Sequence, residues 1–80
     1  MQIRIVAFGI ARDILATSAL SLDIDDSASV ESLRHDLIAK YEDFGKLRSL
    51  RFAVNEEYVD DTYALSDGDE VVLIPPVSGG

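Results

Sequence analysis

The sequence predicts an α+β domain, with one main helix packed across one face of a mixed sheet. Three observations lead there. Segments near both ends alternate apolar and polar residues with the period of a strand, a central segment repeats its apolar residues at spacings of three and four, and no second segment shares that helical period. With 80 residues, 48% of them apolar, the chain has material for one small domain and one core.

The first strand is Gln2 to Phe8, where Ile3, Ile5 and Ala7 alternate with Arg4, Val6 and Phe8. If Ile3 and Ile5 build the core, Phe8 shares the opposite face with Arg4. That leaves a large aromatic at a strand end with nothing from its own core to cover it. Gly9 to Ser18 has no clean period and reads as a link. Leu20, Leu22 and Ile24 alternate with Ser21 and Asp23, a second strand hairpinned to the first. Ser29 has the chemistry of an N-cap and Glu31 complements the positive end of the helix dipole, so a helix begins near Val30. Val30, Leu33, Leu37, Ile38 and Tyr41 form its apolar stripe, Arg34, Asp36 and Lys40 point elsewhere, and Gly45 is the expected stop. Leu50, Phe52 and Val54 mark a third strand, and Tyr58 and Val59 a short fourth. Ser66-Asp67-Gly68-Asp69 has the composition of a tight turn leading into the last strand, Glu70 to Ile74. Pro75-Pro76 ends that strand, because neither proline can donate to a ladder. Strand, strand, helix, strand, short strand, strand is the order of a β-grasp domain. Residues 1–74 are assigned to it, and residues 75–80 to a flexible, extended tail ending in Gly-Gly.

Size and charge narrow the function. A domain with a radius of gyration of ~12 Å has little room for a buried catalytic cleft of roughly 300 Å³, which argues against a self-sufficient enzyme. The net charge of −8 gives no general reason to bind nucleic acid or an anionic membrane, and favours a basic protein surface as partner. There is no cysteine, hence no disulfide framework, thiolate ligand or side-chain thiol chemistry. No apolar run is long enough to span a membrane and Met1-Gln2-Ile3-Arg4 lacks the build of a signal peptide, so the expected location is cytoplasmic.

The chemistry concentrates in the tail. It leaves directly from a core strand, two prolines stiffen its root, and its tip is two glycines without Cβ atoms. Six extended residues reach about 20 Å, far enough to thread a narrow tunnel and present the Gly80 carboxylate to another protein's active site. A carboxylate is a poor acyl donor until a better leaving group, phosphate or AMP, is attached. The tail holds no base, nucleophile or metal ligand, so that chemistry must come in trans.

The segments Phe8-Gly9-x-Ala11-Arg12, Ser29-Val30-Glu31-x-Leu33-Arg34, Ala53-Val54-Asn55, Leu65-x-Asp67-Gly68-Asp69-Glu70-Val71 and Pro75-Pro76-Val77-Ser78-Gly79-Gly80 together resemble the MoaD-type sulfur carriers, the small-subunit family of molybdopterin synthase. The resemblance implies that Gly80 is adenylated by an ATP-using E1-like enzyme and converted to a thiocarboxylate by way of a sulfur donor protein. It further implies docking on the large synthase subunit in a heterotetramer. Pro75, Pro76, Val77, Ser78 and Gly79 would thread that subunit's active site, and sulfur would pass to the cyclic pyranopterin precursor of the molybdenum cofactor. The carrier itself would hold no permanent cofactor or metal and do no catalysis. By the same resemblance Phe8, Tyr58 and Ile74 form an apolar docking patch and Arg12 pairs with a partner carboxylate. Ile74 departs from the aromatic residue expected there, and core and interface both remain open for it.

Three alternatives compete: a sulfur carrier of another pathway, such as thiamine synthesis, a protein modifier joined to lysines through Gly80, and a binding module with an inert tail. Residues 55–70 hold seven acids and no Lys or Arg, either a solvated face or a steering surface for a basic partner. Asp67-Gly68-Asp69 lacks the spaced oxygen ligands of a calcium loop, and His35, without a second His or Cys, reads as a surface residue.

Overall fold

A computed structural model describes residues 1–47 and 49–75 of the chain. The elements run β1 (Gln2–Ala7), α1 (Gly9–Leu15), β2 (Ala19–Asp23), α2 (Val30–Lys40), a 3₁₀ helix (Glu42–Lys46), β3 (Arg51–Val54), β4 (Glu57–Val59) and β5 (Glu70–Ile74). The five strands form one mixed sheet in the order β2-β1-β5-β3-β4. β1 and β5 lie parallel at its centre, with Ile5 opposite Val71 and Ala7 opposite Leu73, and every other pairing is antiparallel.

Alternation along the strands assigns the two faces. Ile3, Ile5, Ala7, Phe52, Val54, Val71 and Leu73 point to one side and are buried there with Val30, Leu33 and Leu37 of α2. Leu33 has no accessible surface, and its truncation to alanine would destabilise the fold by ~2 to 5 kcal/mol. The radius of gyration, 11.7 Å, is that of a single compact body of this length.

α2 begins as its sequence dictates. The Ser29 hydroxyl accepts from the Ser32 N–H (3.3 Å) and the Ser32 hydroxyl accepts from the Ser29 N–H (2.9 Å), a reciprocal capping box, with Glu31 in the first turn. It stops earlier than Gly45. Tyr41 is the C-cap, donating its N–H to the Leu37 carbonyl at 2.7 Å, and Gly45 falls in the 3₁₀ helix that follows, whose Phe44 is buried. Ile38 lies outside the covered stripe, 37% exposed.

Two further expectations are corrected. Gly9 to Ser18 is not an irregular link, because its first seven residues form α1, burying Ala11 and Leu15 one turn apart. Arg12 accordingly sits on a helix, in its last turn. Arg34 does not point away from the body. Its guanidinium lies 4.7 Å from the centre of the Phe52 ring and donates to the Leu50 carbonyl at 2.8 Å and to Asp61 at 2.9 Å, tying α2 to β3 and to the segment after β4.

The acids of residues 55–70 are not all solvated either. Asp69 is 6% exposed, accepting from the Ser66 N–H (2.8 Å) and the Asn55 side-chain amide (2.9 Å), while its carbonyl accepts from the Arg4 N–H. Asn55 and Glu56 form the two-residue turn between β3 and β4, with φ of 49° and 74°, the mirror-image turn that matches the twist of a hairpin. Through Asn55 and Asp69 that turn is locked to the entry of β5, and so the central strand is held in register up to Pro75.

Candidate functional site

The side of the sheet opposite α2 carries a continuous apolar row. Cross-strand pairing sets Ala19 beside Val6, Val6 beside Val72, Val72 beside Ala53 and Ala53 beside Tyr58, so the row crosses all five strands. The backbone of Phe8 is still extended (φ −128°, ψ 161°), which continues the alternation of β1 by one residue and aims the ring to the same side. Phe8 is 59% exposed and Tyr58 67% exposed. Large apolar side chains grouped and uncovered in this way mark an interaction surface.

Ile74 belongs to this face. It follows Val72 by two residues in β5, opposite Arg51, and is half-buried and outside the core cluster. Ile74 is thus on the bare face and not in the core. Arg12 is exposed on α1, the helix for which Phe8 is the N-cap. Phe8, Ile74 and Tyr58 are brought to one side of the sheet, and Arg12 lies on the helix that follows Phe8 at the end of β1.

The root of the tail is at the same end. Pro75 follows Ile74 and lies against Gly9, close enough that a Cβ on Gly9 would sit 3.8 Å from the proline Cγ. Gly9 has φ +54°, a left-handed conformation that a side chain disfavours, and it opens α1 immediately after Phe8. Pro76, Val77, Ser78, Gly79 and Gly80, which include the proposed reactive carboxylate, lie outside the described residues.

Val6, Val72 and Gly9 extend the candidate site beyond the residues first singled out. For Val6 and Val72 the signal was present, since each shares the alternation of Phe8 or Ile74. For Gly9 the signal is its place between an exposed aromatic and a helix, which only the backbone explains. Two acids are held below the usual carboxylate range: Asp60, which follows β4, by the hydroxyl and then the N–H of Thr62, and Asp25, at the Met1 end of the sheet away from Phe8, by the N–H and then the hydroxyl of Ser27. Asp60 keeps the Tyr58 side of the patch negative. Among the described residues no cluster of His, Cys, Asp and Glu could hold a metal ion, and no helix is long and apolar enough to cross a membrane.

A helix cradled on a mixed sheet, with the central strand β5 ending in Ile74 and Pro75 beside a bare apolar face, defines a ubiquitin-like β-grasp protein. SAMP1 from Haloferax volcanii has the same fold, with a TM-score of 0.83 at 21% identity over the whole of both chains. The ThiS family profile matches residues 5–80, and the chain belongs to that family. It is 37% identical to the molybdopterin synthase sulfur carrier subunit of Chlamydomonas reinhardtii, over all of both sequences. It is also similar to a chain in the protein–protein complex of subunits 1 and 2 of the molybdopterin-converting factor from Helicobacter pylori, at 27% identity, full coverage of both chains and a TM-score of 0.69.

Proposed function

We propose that the protein is the sulfur carrier subunit of a molybdopterin synthase. The observation that carries the reading is the convergence at one end of the sheet: central strand β5 ends in Ile74 and Pro75 beside the uncovered Phe8 and Tyr58, and the sequence continues from there to Gly79-Gly80. A full-length relative of that function and the two-subunit complex from Helicobacter pylori support it.

In this reading the chain contributes position, and other proteins contribute the reaction. An E1-like adenylyltransferase joins the Gly80 carboxylate to AMP with release of pyrophosphate, so that ATP is consumed without a resident nucleotide site on the carrier. A sulfur nucleophile supplied by a donor protein then displaces AMP and leaves a terminal thiocarboxylate. Docked on the large synthase subunit, the bare face fixes the body while the terminal sulfur bonds to a carbon of the cyclic pyranopterin precursor as an oxygen substituent leaves; hydrolysis of the resulting thioester leaves the sulfur on the product as a thiol and restores the Gly80 carboxylate. The absence of cysteine from the sequence suits this chemistry, because the only reactive sulfur is the one loaded at the terminus.

The test is the intact mass of the protein from cells that make molybdenum cofactor. Replacement of one terminal oxygen by sulfur, mapped to Gly80, is the expected result. Carboxylate alone after incubation with ATP, an E1-like enzyme and a sulfur donor would overturn the reading. So would recovery of Gly80 chiefly as isopeptide to lysines, which would make the protein a modifier.

A further inference from the structure

The bare face bears a cation that the apolar patch does not account for. Arg51, the first residue of β3, is exposed and sits opposite Ile74, which places it on the bare side of the sheet beyond Ile74 from Phe8. In a chain with fifteen acids and seven bases, Arg51 has no ion pair among the described residues. It shares the lining of an open groove with Arg34, Leu50, Tyr58, Asp60 and Asp61. Neither acid is within ion-pair distance of Arg51, although Asp60 keeps its charge. Asp61 is paired with Arg34 at 2.9 Å, and Asp60 accepts the N–H and hydroxyl of Thr62.

We infer that this groove continues the docking face past Tyr58 and that Arg51 receives a carboxylate from an Asp or Glu of the large synthase subunit. The inference rests on the docking reading above and adds to it the chemistry of the partner at a defined place. Two arguments choose this occupant. The groove is continuous with the patch through Tyr58, so a body covering Phe8, Ile74 and Tyr58 reaches Arg51 as well. A desolvated guanidinium left without a counter-charge would also oppose docking, so a partner that covers it must bring an anion. The remainder of this acidic chain favours a basic partner, so the Arg51 contact has the opposite sign from the overall attraction. A local contact of inverted sign fixes orientation: a partner turned end for end on the sheet would set bases against Arg51 and acids against the 55–70 segment.

The experiment compares two exposed charge reversals of equal size, Arg51→Glu and Lys40→Glu, the latter on α2 behind the sheet. Each is titrated against the purified large subunit of the same organism's molybdopterin synthase at low and at physiological salt, with thermal melts as a folding check. Arg51→Glu is expected to slow association and weaken the complex about tenfold or more at low salt, while Lys40→Glu leaves them unchanged or faster. Arg51→Ala, which keeps the fold independent of an added acid, should show a smaller loss in the same direction. Recovery of Arg51→Glu binding by a carboxylate-to-lysine change in the large subunit would identify the partner residue. Wild-type binding by Arg51→Glu and Arg51→Ala, or a loss equal to that of Lys40→Glu, would overturn the inference. Phe8→Ala run in parallel separates the two claims: if it weakens binding and the Arg51 variants do not, only the Arg51 contact falls, and if neither does, the docking reading falls with it.

Discussion

Phe8→Ala tests whether the bare face is a binding surface or an accident of a small core. Phe8 is 59% exposed and sits at the junction of β1 and α1, above the root of the tail. With ~200 Å² for a phenylalanine side chain, about 120 Å² remains for a partner to cover, which at ~25 cal/mol per Å² sets a ceiling of ~3 kcal/mol. Incomplete coverage and the ordering of side chains on association lower this, so truncation should weaken binding to the large subunit by ~1 to 3 kcal/mol, or about 5- to 150-fold in Kd. Titration calorimetry at fixed salt reads that change, and a urea unfolding curve of the free variant should move by no more than about 1 kcal/mol. The contrast is with Phe52, which is buried among Ile5, Leu33 and Leu73, and whose truncation should cost ~3 to 5 kcal/mol of folding stability. If Phe8→Ala shifts unfolding by as much as Phe52→Ala while binding is unchanged, Phe8 is a packing residue and the assignment of the face is wrong.

Other outcomes follow from particular contacts. Adding one residue after Gly80, or replacing Gly79 by a bulky residue, should abolish sulfur transfer to the pterin precursor and leave the thermal melt unchanged, because on the proposed reading the Gly80 carboxylate threads a narrow passage in the large subunit; a fully active variant would refute this. Gly9→Ala should destabilise the fold by ~1 to 2 kcal/mol through its φ of +54°, because the new methyl meets Pro75 only at ordinary contact distance, and a chemical-denaturation midpoint decides it. Asp69→Ala removes an acceptor that holds Ser66 and Asn55 and should cost ~2 to 3 kcal/mol, measured the same way. Asp60 titrates lower in the folded than in the unfolded chain, so the stabilisation is present above the ordinary carboxylate value of 3.8 and is lost as pH falls through the lowered folded value. The stability difference between wild type and Thr62→Val should therefore shrink on acidification below pH 4 or so, and a difference constant down to about pH 2 would refute it.

Much of this molecule is legible in its sequence, and what is hidden has identifiable reasons. Strand period, branched residues and the Ser29 cap give the sheet and α2, because each element spans enough residues for its pattern to repeat. α1 does not. It has seven residues, its two buried positions Ala11 and Leu15 form one repeat, and its end at Ala16 takes a left-handed φ of 62° without the glycine that usually announces such a stop. Arg34 misled for a different reason: hydropathy treats arginine as a surface residue, whereas its long stem here lets the guanidinium lie over Phe52. Asp69 belongs to a turn by composition, and only the approach of Asn55 from β3 turns it into a buried acceptor. In all three cases the deciding partner is distant in sequence or the pattern too short to recur.

The same distinction explains how the site is built. The chemistry proposed for it, at the carboxylate of Gly80, is read from the sequence alone; the bare face exists only when five strands are in register. Val6, Val72, Ala53 and Tyr58 lie far apart in the chain and become one surface solely through the pairings of β1 with β5, β5 with β3 and β3 with β4. Asp69 and Asn55 maintain that register at one end of the central strands, and Gly9 against Pro75 sets the departure of the tail at the other. On the proposed reading, in which the partners supply the reaction, those two fixed ends matter more than any reactive side chain. A substitution such as Asp69→Ala, remote from Gly80, should therefore lower sulfur transfer by loosening the body that aims the tail, with the loss growing as the temperature approaches the lowered melting point. A folded Asp69→Ala with undiminished binding well below that temperature is the expected companion result, and weakened binding there would instead place Asp69 in the docking contact itself.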